Sequence, residues 1–345
     1  MKIAKKVLAV STILALTTPL FAQEAAEGVR ITDIMVQTQS RYRYQESNGT
    51  NKLEQNVVLK GTIDFNGLFT LTGVVRTGGT YNGGYNGVIM PDAAEVFDPS
   101  GEMHITQLYI SKTFGEKVTA QAGALAVDNG ISSAATGLSG IGWIDGARVA
   151  VKTPYGRIAL VGGSLTDPGN SDAYSRERKL NYVELHMTTE TFAKVLKAQG
   201  GVEYHEDDLF AKAGLQANLQ EATGLAISAF AEVVVRTTGD AGVLVSAGGA
   251  ADLLAIFSDN KYTGVKISAK YIYASDAVKA SDRYSGAYTS GLNACSGNHC
   301  GVFGLAVTIP KTDGRVTAFG NIRVDSAGME FNRYEAGVKV KIGRK

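Results

Sequence analysis

The chain is 345 residues long with 34 Lys and Arg against 33 Asp and Glu, so it carries no bulk basic field and no nucleic-acid partner is expected. Two cysteines exclude a scaffold built from disulfides. Gly at 41, Pro at 6 and 19% charged residues, against a usual ~25%, favour long strands joined by Gly/Asn/Asp turns over two soluble domains.

Lys2, Lys5 and Lys6 precede an apolar run from Val7 to Leu16, and Pro19-Leu20-Phe21-Ala22 ends on a small residue before polar Gln23. That order reads as a secretory signal peptide over residues 1–22. Its apolar core is too short for a spanning helix, which needs about 20 residues. Removing it takes away three lysines and leaves 31 Lys and Arg against 33 Asp and Glu. Residues 23–345 are expected to form a single domain. Beyond the signal no apolar stretch is long enough for a transmembrane helix.

From Asp33 to Tyr44 the even positions carry Ile34, Val36, Thr38, Ser40, Tyr42 and Tyr44, while the odd ones carry Asp33, Met35, Gln37, Gln39, Arg41 and Arg43. A period of two over a dozen residues predicts a strand with one apolar and one polar face. Leu53, Val57, Leu59, Ile63 and Phe65 repeat it against Glu54, Asn56, Lys60 and Asp64. Asn66-Gly67 then predicts a type I′ hairpin, because both central residues need positive φ. A third strand follows over Leu68 to Thr77, and a Gly/Tyr/Asn-rich loop over Gly78 to Gly101.

The rhythm continues along the chain. Tight turns are expected at Gly115–Lys117, Thr153–Gly156, Thr188–Thr191, Gln220–Gly224, Ser258–Lys261 and Lys311–Gly314. Longer excursions fall at 128–145, 166–178 and 276–300, and shorter ones at 46–51, 205–208, 238–241 and 325–329. Residues 242–257 read as one long strand, since Asp252 alone is charged and sits opposite the face of Val243, Val245 and Phe257. Residues 191–199 are ambiguous, because Phe192, Val195, Leu196 and Gln199 have helical spacing before Gly200; a strand is expected there. The last strand alternates Tyr334, Ala336, Val338, Val340 and Ile342 with Glu335, Lys339 and Lys341.

An apolar outer face needs lipid and a charged inner face needs water. Only a helix or a closed barrel satisfies every backbone group in a membrane. The fold expected is all-β: a transmembrane antiparallel barrel of about 16 strands, with short periplasmic turns and long extracellular loops.

With Tyr109-Ile-Ser-Lys-Thr-Phe-Gly-Glu-Lys-Val-Thr-Ala-Gln-Ala-Gly123 and Gly201-Val-Glu-Tyr-His-Glu-Asp-Asp-Leu-Phe-Ala-Lys-Ala-Gly214, the chain resembles the bacterial general porins. The resemblance spans nearly the whole chain after the signal, as pattern. It implies a homotrimer in the Gram-negative outer membrane, in contact with its lipid, and a constricting loop at 128–145 with Trp143. One departure stands out: the chain ends Ile342-Gly343-Arg344-Lys345, where porins end on an aromatic residue.

Catalytic signatures are absent: no Gly-x-Ser-x-Gly, no His-Glu-x-x-His and no phosphate-binding loop occurs. His104, His186, His205 and His299 are scattered, so no catalytic residue, metal or cofactor is assigned. Cys295 and Cys300 flank Ser-Gly-Asn-His and are expected to close a small disulfide within a surface loop in an oxidising compartment; with His299 they make too few ligands for a zinc site. The expected pore-lining residues are Arg41, Arg43, Lys60, Arg148, Lys152, Arg323, Lys339 and Lys341. Closure of the last strand on the first should gather Arg41, Arg43, Lys339 and Lys341 on one wall.

The function expected is passive diffusion of small hydrophilic solutes and ions, with a mild anion preference. A plugged structural or adhesive barrel is the alternative, suited to the loop 78–101. An outer-membrane hydrolase is the more distant one.

Overall fold

Alternation becomes geometry in the computed structural model, which describes residues 28–45, 50–77, 86–90, 103–126, 143–165, 180–189, 192, 195–220, 224, 226–253, 264–281, 298–309, 312–325 and 330–344. The strands are β1 Val29–Gln45, β2 Thr50–Phe65, β3 Thr70–Thr77, β4 Asn86–Met90, β5 Met103–Phe114 and β6 Val118–Ala126. Then come β7 Trp143–Thr153, β8 Gly156–Ser164, β9 Tyr182–Thr189, β10 Leu196–His205, β11 Asp208–Asn218 and β12 Ile227–Arg236. The chain finishes with β13 Gly242–Asp252, β14 Val265–Ala274, a helical turn α1 Asp276–Lys279, β15 His299–Thr308, β16 Val316–Asp325 and β17 Glu330–Arg344.

Each strand pairs antiparallel with its neighbours, and β17 pairs with β1 from Ile34↔Arg344 to Gln45↔Arg333. That pairing removes both sheet edges. Sixteen strands close the ring; β4 is not one of them. It continues the wall beside β2 at Asn51–Gln55, beyond the Val58–Asp64 stretch that β3 covers.

The first turn shows how local sequence sets register. Asn66 and Gly67 adopt φ of 53° and 69°. Leu68 N donates to Phe65 O at 2.9 Å, and Gly67 N donates to Asp64 Oδ1 at 2.8 Å. This is the type I′ geometry whose twist matches the flanking strands. The longest intervals between consecutive ring strands, β4 left aside, follow β3, β6, β8 and β14, and all fall at one rim, here the loop rim; the Asn66-Gly67 turn belongs to the opposite, turn rim.

Three expectations need correction. Of the strand expected over 242–257, β13 accounts for Gly242–Asp252, and residues 254–257 lie outside the described residues. Phe192 makes an isolated bridge to Leu196, and the regular strand starts only there; the helical spacing marks a tight turn. Trp143 opens β7 instead of lying in a constricting loop, paired with Ala126 and fully buried among Leu125, Ile144, Leu165 and Tyr182. Cys300 is likewise no loop residue: it is the second residue of β15, paired with Ile272 and Asp325 and 2% exposed. Cys295 and residues 127–142 lie outside the described residues, as do residues 1–27.

Candidate functional site

The pleat gives each strand an outward and an inward set of side chains. Outward ones are apolar yet uncovered: Val149, Leu160, Val202, Leu215, Ile267, Phe303, Ile322 and Val338 are 42–56% exposed. Such a band, continuous from strand to strand, is what lipid covers. Aromatic pairs flank it. Tyr44 stacks on Tyr334 at 4.8 Å near the loop rim, and Phe65 on Phe69 at 4.6 Å at the turn rim. Leu53, paired with Tyr42, lies twelve residues from Phe65 on β2. That is about 40 Å of strand at ~3.3 Å per residue, or about 30 Å along an axis tilted by ~40°. It matches the ~30 Å hydrocarbon core of a bilayer.

The inner face is charged, and unevenly so. Along the β1–β17 seam, Arg41 lies opposite Gly337, Arg43 opposite Glu335, Gln39 opposite Lys339 and Gln37 opposite Lys341. Arg41 Nη1 is 3.4 Å from Glu335 Oε1, and Arg333 pairs with the same carboxylate. Arg323, opposite Arg333 on β16, completes a ring of guanidinium groups around Glu335. Lys60 on β2 pairs with Asp33 at 3.0 Å, its side chain still 37% exposed inside the barrel. The seam thus holds six cations, Arg41, Arg43, Arg323, Arg333, Lys339 and Lys341, on β1, β16 and β17 against Glu335 and Asp325, with Asp33 of β1 paired to Lys60 beside them.

Half a turn around the ring, on β9–β12, the balance reverses. Glu184, Glu203 and Glu232 are all buried on the inner face. Lys212 Nζ donates to Glu184 Oε1 at 3.2 Å and to Glu203 Oε2. The Tyr182 hydroxyl lies 2.8 Å from Glu184 Oε2 and 3.1 Å from Glu203 Oε2, one proton between two carboxylates. Gln199 Nε2 donates to Glu232 Oε1 at 2.7 Å. Charges here are held by one another, in a low-dielectric pocket where leaving one alone is costly.

Toward the loop rim the inner wall of β11–β15 turns apolar. Phe210, Val234, Leu244, Ile272, Ala274 and Cys300 form one buried cluster, completed by Val278 of α1. All six wall residues share the inward parity of Lys212, Glu232 and Lys270 on their ladders. Helix α1 therefore packs inside the barrel.

By sequence, no protein-family model and no curated protein matches the chain. Its fold is similar to that of OprB of Pseudomonas putida in a high-pH structure, at a TM-score of 0.57 and 10% identity, over 92% of this chain and 94% of that one. The low-pH structure of the same protein gives 0.55 at 12% identity, over 92% and 93%. A triple mutant of the Rh. blastica porin gives 0.51 at 12% identity, over 91% of this chain and 100% of that one. The fold is that of a bacterial porin.

On this porin-like barrel the expected site residues fall in different settings. Arg41, Arg43, Arg323, Lys339 and Lys341 are brought together at the seam, with Lys60 two strands away from Lys339. Lys152 is exposed near the turn rim of β7. Arg148 is enclosed: it donates to Gln121 Oε1 at 3.1 Å and to the Ala126 carbonyl at the end of β6. Its guanidinium braces the wall between β6 and β7. Arg333 and Glu184 belong to these walls and were missed. Arg333 has the parity of Glu335, so extending the alternation by one step would have found it. Glu184 lies in the alternating Tyr182, Glu184, His186 of β9, a pattern as legible as any other.

Proposed function

We propose that this barrel is an outer-membrane channel through which small hydrophilic solutes and ions diffuse passively, with a mild preference for anions and no chemistry performed on them. The observation that carries the reading is the closed ring with an apolar band outside and a charged wall inside. Sixteen strands leave an aqueous lumen, whereas about eight are filled by side chains. At the turn-rim end the inner-face residues Lys152, Lys266 and Lys341 are exposed, as a water-filled lumen requires. Excess cation at the seam supports anion preference, since charged rings favour counter-ions at close quarters.

The same reading takes residues 1–22 as an export signal, Cys295 and Cys300 as a disulfide pair, and a homotrimer as the assembled form. Among the described residues no cysteine is free, which supports the pairing. Purified protein in planar bilayers should give discrete conductance steps, and a salt gradient should give a reversal potential of anion-selective sign. A silent protein would instead favour a plugged structural barrel. One observation speaks for that second reading: the inner-wall cluster around Phe210 and Leu244 is wholly covered.

A further inference from the structure

Strand β14 does not leave the barrel at its end. Ser275 N donates to Val243 O at 2.9 Å, and Ser275 Oγ accepts from Val243 N at 3.0 Å, so the chain is stitched to β13 as it turns inward. Val278 then meets the apolar wall. Gly242 makes room for this: a Cβ there would stand 2.6 Å from Ser275 Oγ and 3.0 Å from both Ala277 Cβ and Val278 Cγ2. Ser281 Oγ donates to Val278 O at 2.6 Å and closes the turn.

Arg236 is the clamp. Its Nε and Nη2 reach Asp208 Oδ1 at 2.8 and 2.7 Å, while Nη1 donates to the Ala277 carbonyl at 2.8 Å. The Asp208 carboxylate on β11 fixes the guanidinium plane, and the fixed plane presents one remaining donor edge to α1. The Arg236 charge is thus spent on holding backbone.

We infer that residues 275–281 form a fixed ledge inside the barrel, positioned by Arg236, that narrows the lumen beside β11–β15 and sets the largest solute admitted. The ledge belongs to the segment between β14 and β15, away from the 128–145 loop that the porin resemblance suggests. The inference rests on the channel reading. Removing the Arg236 bond, or filling the Gly242 gap, releases the ledge from the wall while the sixteen-strand ladder stays intact. A β-branched residue at position 242 suits a strand, so Gly242→Val tests the ledge without touching Arg236.

The experiment compares wild type, Arg236→Ala and Gly242→Val, each admitted only if it retains the faster gel migration of an unboiled barrel. Two readouts are taken: single-channel conductance with polyethylene glycols of graded size, and the rate of trypsin cleavage after Lys279 in the folded protein. Arg236→Ala should cleave there about tenfold faster, the factor that loss of one charge-assisted hydrogen bond carries, and Gly242→Val should also cleave faster than wild type. Both should also conduct more and admit larger polymers than wild type. Faster cleavage with unchanged conductance and cut-off would show a docked segment that does not limit the pore, and overturn the inference. Unchanged cleavage overturns it as well. If wild type is silent while cleavage after Lys279 still accelerates in the variants, the channel reading has failed and the clamp has not.

Discussion

The seam wall and the β9–β12 wall are built from the same alternating pattern and hold their charges differently. At the seam, Arg41, Arg43, Arg323 and Arg333 crowd one carboxylate, and Lys339 and Lys341 extend the positive face toward the turn rim. Across the ring, Lys212 is locked between Glu184 and Glu203 with Tyr182 closing the set. Both sets are largely covered, but the strut balances its charge within itself, whereas the seam leaves cations in excess, with Lys341 exposed at its turn-rim end. The seam therefore gives the inner face a net positive stretch, and the opposite wall is a strut that carries charge mainly to hold three strands together.

The largest effect should come from breaking the strut. Lys212→Met leaves two buried carboxylates without their shared cation, a loss of about 3–5 kcal/mol. The guanidinium midpoint followed by gel shift should fall accordingly; an unchanged midpoint would mean that the Glu184–Lys212–Glu203 set is solvated and the two walls are alike. Next is the seam itself. Replacing Arg41 and Arg43 by Glu changes its charge by four units and should move the zero-current potential toward cation preference with little loss of conductance. A reversal potential indifferent to that change would remove those side chains from the pore wall. A smaller effect sharpens the same contrast without mutation. Raising salt from 0.1 M to 1 M shortens the Debye length from about 10 Å to about 3 Å, so anion preference should fade while strut stability barely moves. Smallest is the thiol pair. Mass spectrometry of envelope-extracted protein should find no free thiol. Double substitution of Cys295 and Cys300 by Ser should cost about 2 kcal/mol for so short a loop and leave the barrel assembled. Two free thiols would overturn the pairing.

What was legible in the sequence follows from how local each signal is. The alternation of Asp33–Tyr44 and of Tyr334–Ile342 needs no partner to be read, and it orders the seam as the structure does. Asn66-Gly67 carries its own backbone requirement. The strut is different: Lys212 and Glu184 are 28 residues apart on strands that meet only through β10, so composition cannot distinguish a paired lysine from an uncovered one. Arg236 is harder still, because its second partner is the main-chain carbonyl of Ala277, which no side-chain pattern encodes. Cys300 reads as a loop residue in the sequence because Ser, Gly, Asn and His around it are turn chemistry. The inward run Cys300, Val302, Gly304, Ala306 shows that the strand pattern had already begun.

The β1–β17 ladder also has a bearing on the order of assembly. It joins the first described strand to the last, Ile34 to Arg344, so of all strand pairings it spans the most chain and carries the greatest loop-closure entropy. Hairpins can form as their turns are made, but this one pairing has to wait for both partners. Until it forms, β1 and β17 each present a row of unmet amide and carbonyl groups, a template for joining the wrong chain. The seam cations then acquire a second use in the unfinished sheet: Arg41, Arg43, Lys339 and Lys341 would bring like charge against like when two copies approach edge to edge, so these inner-wall residues also discourage aggregation before the ring closes.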